Sequence, residues 1–269
     1  MISQAKSRVS RWLGALVQAP ARPSNSPQAP DLSPELRSKA LDLQMLDGAY
    51  QVMFSFHRDV HERAYRDIGS TSKSVLEIAC GTGFAYPLAR VHDLNYLGVD
   101  ISETAIAMCC LKYPDGLFLN APIYGLGALA DRCFDAVYCS SMLEHIGKVE
   151  IAVQEMWRLA GRRLDLVFYE GLADSDEHLF RFVPYDAAEP RETWGGCYGM
   201  KVVLQDHGPR DGRSDGRPIP GYFMNKFARE PMRRLIGELP GVEGVEIRDL
   251  PHQRHGMRTW VTVLKRGLT

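Results

Sequence analysis

Residues 75–83 read VLEIACGTG, and seventeen residues after the last of these glycines a GVD tripeptide ends in Asp100. The apolar VLEI suits a strand buried in a sheet interior. Gly81 and Gly83 let the chain turn tightly and bring backbone N–H groups up to a ligand. A carboxylate at the carboxyl end of the following strand can accept two hydrogen bonds from the vicinal hydroxyls of a ribose. The competing reading is a structural turn followed by a capped or solvated aspartate; the spacing within an α/β pattern favours the ligand.

Further along, His57, His145, His178 and Tyr185 are candidate general bases. His145 stands in MLEHI, where its plain alternative is a loop hydrogen bond. His178 follows Asp174 and Asp176 in DSDEH, and those carboxylates could orient its ring by accepting from a protonated nitrogen. The same three side chains invite a divalent-metal site, but no further ligands present themselves, so a solvated surface loop is preferred and no metal is expected. Phe180, Phe182, Tyr185, Trp194, Tyr198 and Tyr222 crowd one interval, either walling an organic substrate or forming a small local core. Arg181, Arg191 and Arg210 could meet a carboxylate or phosphate, or simply be solvated.

Other classes are disfavoured by what is missing. ACGTGFAY lacks the third glycine of the GxGxxG dinucleotide fingerprint, and there is no GxxxxGK(S/T) phosphate loop. With 32 Lys and Arg against 33 Asp and Glu, the formal charge of −1 gives no steering toward nucleic acid, and neither an RRM signature nor a finger-like Cys and His spacing is present. Six cysteines without paired CxxC spacing read as reduced, mostly buried thiols. Hydrophobic and charged fractions of 45% and 24% are those of an ordinary soluble domain.

The elements that must position these residues follow from periodicity. Residues 1–33 are an N-terminal extension whose WLGALV run is too short to span a bilayer, followed by a proline-rich linker. The extension folds over its own domain, frays, or touches a lipid surface or partner as an amphipathic helix. Residues 34–72 form a helical cap, with Ser33 and Pro34 at its start and one or two helices interrupted near Gly48. From 73 to 269 the chain is a single domain with an insertion at about 171–222. Strands are expected at 74–79, 97–100, 117–119, 134–139 and 164–168, alternating with helices at 85–91, 103–111 (capped by Ser102) and 149–159. That alternation predicts a doubly wound, mostly parallel sheet with flanking helices. A helix at 226–239 and strands at 242–250 and 259–265 would complete it with an antiparallel last strand.

VLEIACGTG, GVDIS and FDAVYCSSMLEHI, in that order and followed by helix 149–159 and strand 164–168, make residues 74–169 resemble the class I S-adenosylmethionine-dependent methyltransferases, in the group acting largely on small molecules. The resemblance implies a Rossmann-like seven-stranded sheet and S-adenosylmethionine as cofactor. It implies that Glu77 lies near the methionine moiety, directly or through the glycine loop, that Gly81 and Gly83 are the turn glycines, that Asp100 holds both ribose hydroxyls, and that Ile101 flanks the adenine. Asn120, beside Ala121, stands where many relatives carry an acid that contacts the adenine amino group. Ala79 replaces a frequent first glycine and should crowd the loop. Ser140 begins the stretch facing the methionine part, and Met142 and Leu143 lie next to the reaction cleft. The resemblance makes His178 the preferred base and places His145 along the cleft. His57, Met142, Phe180, Tyr185, Trp194 and Tyr222 are the expected acceptor contacts.

The expected function is methyl transfer to a small organic or saccharide acceptor in the cytoplasm, with oxygen ahead of nitrogen or carbon as target atom. A cofactor-binding relative catalysing decarboxylation or rearrangement, and a noncatalytic interaction protein, are the alternatives. A homo-oligomer remains open.

Overall fold

A computed structural model describes residues 44–179, 182–184, 221–223, 225–252 and 256–266, with the backbone alone described for 44–56, 182–184, 221–223, 252 and 256. The expectations placed on Ser33, Pro34, Phe180, Tyr185 and Trp194 lie outside these residues. Helix α1 is Gln44–Thr71 and α2 Tyr86–Val91, followed by α3 Glu103–Lys112, α4 Val149–Leu159 and α5 Arg229–Gly237. Strands β1 Ser74–Ile78, β2 Asn95–Asp100, β3 Phe118–Asn120, β4 Phe134–Ser140, β5 Ala160–Phe168, β8 Val242–His252 and β9 Gly256–Lys265 form one seven-stranded sheet in the order β3-β2-β1-β4-β5-β9-β8. A separate pair, β6 Phe182–Pro184 and β7 Gly221–Phe223, runs antiparallel. The strand order reverses between β1 and β4, the switch point at which open α/β sheets bind ligands beyond their strands' carboxyl ends. Among the described residues no helix is long and apolar enough to cross a membrane.

The chain packs as two compact units, the first reaching Tyr138 and including Glu155–Leu164, the second made of Cys139–Gln154 and Asp165–Thr269. In the first, β1 pairs in parallel with β2, Glu77 opposite Gly98, and β2 with β3, Asp100 opposite Asn120. Val75, Leu76, Ile78, Leu97 and Val99 are buried, as a strand covered on both faces requires. Val60, Ala64, Tyr65 and Ile68 form the buried stripe of α1 at helical spacing. Helix α1 runs unbroken through Gly48 instead of being interrupted there. One glycine costs a helix interior only about 1 kcal/mol, less than the packing of such a stripe supplies. At the strands' amino ends, Asp135 Oδ2 accepts from the Lys73 and Ser74 amides and the Asp135 amide donates to Ser74 Oγ.

Strand β5 begins four residues before the expected Leu164, directly after α4 ends. Its polar start, GRR, hid it. The buried Arg163 donates to Asp67 O and Thr71 Oγ1, and the Gly161 carbonyl accepts from Arg132. A Cβ on Gly161 would meet Phe134 O at 3.0 Å, so the close approach needs a glycine.

In the second unit β8 and β9 form the expected antiparallel pair, extended at both inner ends, with Val245 opposite Val263 and Ile247 opposite Val261. The buried Asp165 carboxylate accepts from Trp260 Nε1 at 3.0 Å and Thr262 Oγ1 at 2.9 Å. Helix α5 starts at Arg229 instead of Lys226, because 226–228 are engaged in bridges: Lys226 exchanges backbone hydrogen bonds with Leu179, and Phe227 O accepts from the Ala173 amide.

Candidate functional site

Within the first unit, the backbone from Ala79 to Gly83 coils through left-handed conformations, with φ of 59° at Ala79, 54° at Gly81 and 78° at Gly83. Two of these positions carry the residue that tolerates such angles at no steric cost; Ala79 does not. Space divides the glycines by role. A Cβ on Gly83 would meet Cys109 Sγ and the Tyr113 ring at 3.1 Å, whereas one on Gly81 would meet nothing within 4 Å. Gly83 therefore packs the turn onto α3, and Gly81 presents backbone to open space.

Asp100 ties this turn to the end of β2. Its Oδ2 accepts from the Gly81 amide at 2.9 Å and its Oδ1 from the Ser102 amide at 2.8 Å. Burial pushes its carboxyl up, against the pull of the Ser102, Gly81 and Ile101 amides. Ser102 caps α3 as expected, accepting from the Ala105 amide at 3.2 Å. Asn120 is exposed and donates its amide to Asp100 O at 3.1 Å and Ile101 O at 2.9 Å. An acid could make neither bond, which is a physical reason for Asn at this position; its carbonyl stays the acceptor side. Ile101 is 44% exposed beside Asp100, and the Ala121 amide donates to Asp100 O.

Glu77 lies beneath the turn, buried, with Oε2 accepting from Tyr65 Oη at 3.0 Å and Tyr96 Oη at 2.5 Å. Burial raises its carboxyl to about 7 against the two phenols' pull, with the Asp100 charge adding to the rise. Neither tyrosine is among the residues expected from sequence. A carboxylate inside an otherwise apolar buried strand does signal that donors must exist, but nothing local names them. The turn also rests on side chains: Cys109 Sγ donates to Gly81 O at 3.2 Å and Lys112 Nζ to Thr82 O at 3.2 Å.

In the second unit, Ser140 ends β4 and the turn after it carries Met142 and His145. Ser140 Oγ lies 3.4 Å from Ser141 Oγ, and Ser141 has φ 57° with its amide donating to Val167 O. Leu143–His145 forms a short 3-10 turn. Asn225 clasps it, Nδ2 donating to Leu143 O at 2.9 Å and Ile146 O at 2.7 Å while its own amide donates to Glu144 O. Glu144 Oε1 accepts from the Tyr169 amide at 2.7 Å, and burial raises this carboxyl to about 7 as well. Glu144 Oε2 and Asn225 Oδ1 are buried without partners.

His178 is half-buried, and burial lowers its imidazole below the usual range. Its Nδ1 accepts the Ala228 amide at 3.0 Å and its ring stands edge-on to Phe227. Of the two carboxylates expected to orient this ring, Asp174 pairs with Arg229 Nε at 3.4 Å, and Arg229 also holds Asp249 at 2.7 Å. Asp174, Ser175, Asp176, Arg229 and Glu230 line a polar hollow of about 270 Å³. Among the described residues no group of three His, Cys, Asp or Glu is placed to hold a metal ion. Tyr222 lies on β7, and His57 is partly buried on α1.

Residues 76–162, which hold the turn, Asp100 and the post-β4 turn, match a family model described as a methyltransferase domain. No curated protein sequence matches the chain significantly. Among solved structures, a 1,6-didemethyltoxoflavin-N1-methyltransferase from Burkholderia thailandensis superposes with a TM-score of 0.51 at 13% identity, over 92% of this chain and 99% of that one. A possible histamine N-methyltransferase from Thermotoga maritima gives 0.51 at 16%, over 83% and 98%. The N-terminal domain of EvdMO1, solved in the presence of S-adenosylhomocysteine and D-fucose, gives 0.50 at 14%, over 97% of each chain. At these identities the likeness is one of fold. The matched segment, residues 76–162, carries the glycine turn on a sheet whose order reverses beside it; that segment is similar to a methyltransferase domain, and the chain shares the Rossmann-like α/β fold of these structures.

Proposed function

We propose that the chain transfers the methyl group of S-adenosylmethionine to a hydroxyl of a small organic acceptor, saccharides included. The observation that carries this reading is the turn at Gly81, its amide fixed on Asp100 and its Cα facing open space. A carboxylate has about four acceptor positions, so Asp100 can hold the turn and still receive ribose hydroxyls. Ile101 and the Asn120 carbonyl suit the adenine. The cofactor supplies an electrophilic methyl on a sulfonium. What remains for the chain is placement, which in favourable systems contributes about 7–11 kcal/mol.

The acceptor falls to Met142, His145 and His178 on this reading. With the Ala228 amide on Nδ1, the neutral His178 ring keeps its proton on Nε2. We assign it the role of hydrogen-bond donor to the acceptor molecule, which leaves His145 as the base for a hydroxyl. The same observation favours a second reading, an amine acceptor, which needs no base; two of the structural relatives are named as N-methyltransferases.

Donor-label transfer across a metabolite extract tests the function, and single-turnover rates on the labelled acceptor separate the readings. For a hydroxyl, His145→Ala should slow transfer by about 10²–10⁴; for an amine it should change little. Donor binding without transfer to any acceptor would overturn both.

A further inference from the structure

Glu77 has more support than a ligand turn requires. Two phenols from different elements, Tyr65 on α1 and Tyr96 on β2, converge on one carboxylate oxygen, and all three residues are at most 4% exposed. Asp100 on β2 and Cys80 on the turn are the other titratable neighbours, while Tyr138 on β4 packs edge-on against Tyr65 at 5.4 Å and hydrogen-bonds His61 of α1 at 2.9 Å. The groups acting on Glu77 are two phenols and a carboxylate, so the charge it carries when ionised has donors but no countercharge among them. Burial and those donors leave its carboxyl titrating at about 7. A cation brought to the turn tips such a group to its anion and expels a proton; a neutral ligand does not.

We propose that Tyr65 and Tyr96 are positioning residues that hold Glu77 ready as the counter-charge for a cationic ligand at the glycine turn, and that through Tyr65 the seating of α1 sets how strongly the chain prefers the sulfonium donor to its thioether product. The inference rests on the methyl-donor reading above. On transfer the C–S bond breaks with its electron pair remaining on sulfur, the new bond forms to the acceptor, and the acceptor's proton passes to base or solvent. The ligand at the turn is then one positive charge poorer, and Glu77 regains its proton.

Calorimetric titration of the full chain with S-adenosylmethionine and with S-adenosylhomocysteine, between pH 6 and 9, tests this. In the wild type the donor's affinity should fall below about pH 7 while the product's stays within twofold. Tyr65→Phe removes one hydroxyl from the carboxylate, so the donor's midpoint should rise by about one pH unit. Its affinity at pH 7 should drop about five- to tenfold, recovering at pH 9. Tyr96→Phe should act in the same direction and serves if Tyr65→Phe does not fold, as circular dichroism would show. Equal loss of both ligands at every pH, or unmoved donor profiles in both variants, overturns the inference alone. A wild type that binds neither ligand overturns the functional reading with it.

Discussion

Ala79 holds a left-handed backbone, at φ 59°, that costs an L-residue about 1–2 kcal/mol. Ala79→Gly should relieve that strain, less the about 0.5–1 kcal/mol that glycine returns through its freer unfolded chain, for a net gain of about 0.5 kcal/mol. Gly83→Ala should do the reverse, losing about 2 kcal/mol, since its φ of 78° comes with contacts at 3.1 Å to Cys109 and Tyr113. Thermal unfolding of the two variants in opposite directions checks both. At Asp100, Asp100→Ala removes the acceptor of the Gly81 and Ser102 amides along with the proposed ribose contacts. Donor affinity should fall at least about tenfold by calorimetry on folded protein; unchanged affinity would reject the assignment. Residue types and spacing made Gly81, Gly83, Asp100 and the Ser102 cap legible in the sequence. Tyr65, Tyr96 and Asn225 were not, because each acts on a partner 12 or more positions away, a distance that only the fold closes.

Elements were readable where periodicity was clean. Helix α4 falls on its expected span, and β1, β2, β3 and β4 lie within two residues of theirs. The misses share a cause: the polar start of β5, the run of α1 through Gly48 and the late start of α5 are each settled by tertiary partners, against local propensity. The clasp by Asn225 is the strongest case. Standing just before the expected helix at 226–239, this residue donates three hydrogen bonds, two from its side chain, to the turn after β4. Asn225→Ala leaves the Leu143 and Ile146 carbonyls without these donors and should cost about 2–4 kcal/mol in urea unfolding. Asn225→Asp should cost more, since it sets a second carboxylate against those carbonyls and beside the buried Glu144. If Asp were tolerated better than Ala, the hydrogen bonds would not be what holds this turn.

Across the whole molecule the formal charge is nearly balanced, yet among the described residues each unit buries a carboxyl that titrates at about 7: Glu77 in the first and Glu144 in the second. Unfolded, both would titrate near 4.5. Between pH 4.5 and about 7 the native protein therefore binds more protons than the unfolded chain, and the free energy of unfolding falls as pH rises through that window. The loss is complete above 7 and on the order of 3 kcal/mol for each group. Glutamine keeps the shape and removes the titration. At Glu144 it also places an N–H2 where the unpartnered Oε2 now lies, and at Glu77 its carbonyl still accepts from Tyr65 and Tyr96. Urea unfolding of the wild type and of the Glu77→Gln, Glu144→Gln double variant at pH 5, 6, 7 and 8 isolates these two sites, because all other titrations cancel in the difference. The variant should gain several kcal/mol on the wild type between pH 5 and 8, shared by the two single variants according to which unit each stabilises. A difference that stays flat with pH would mean that neither carboxyl enters the native state protonated, and that the charges are balanced by groups other than those around them here.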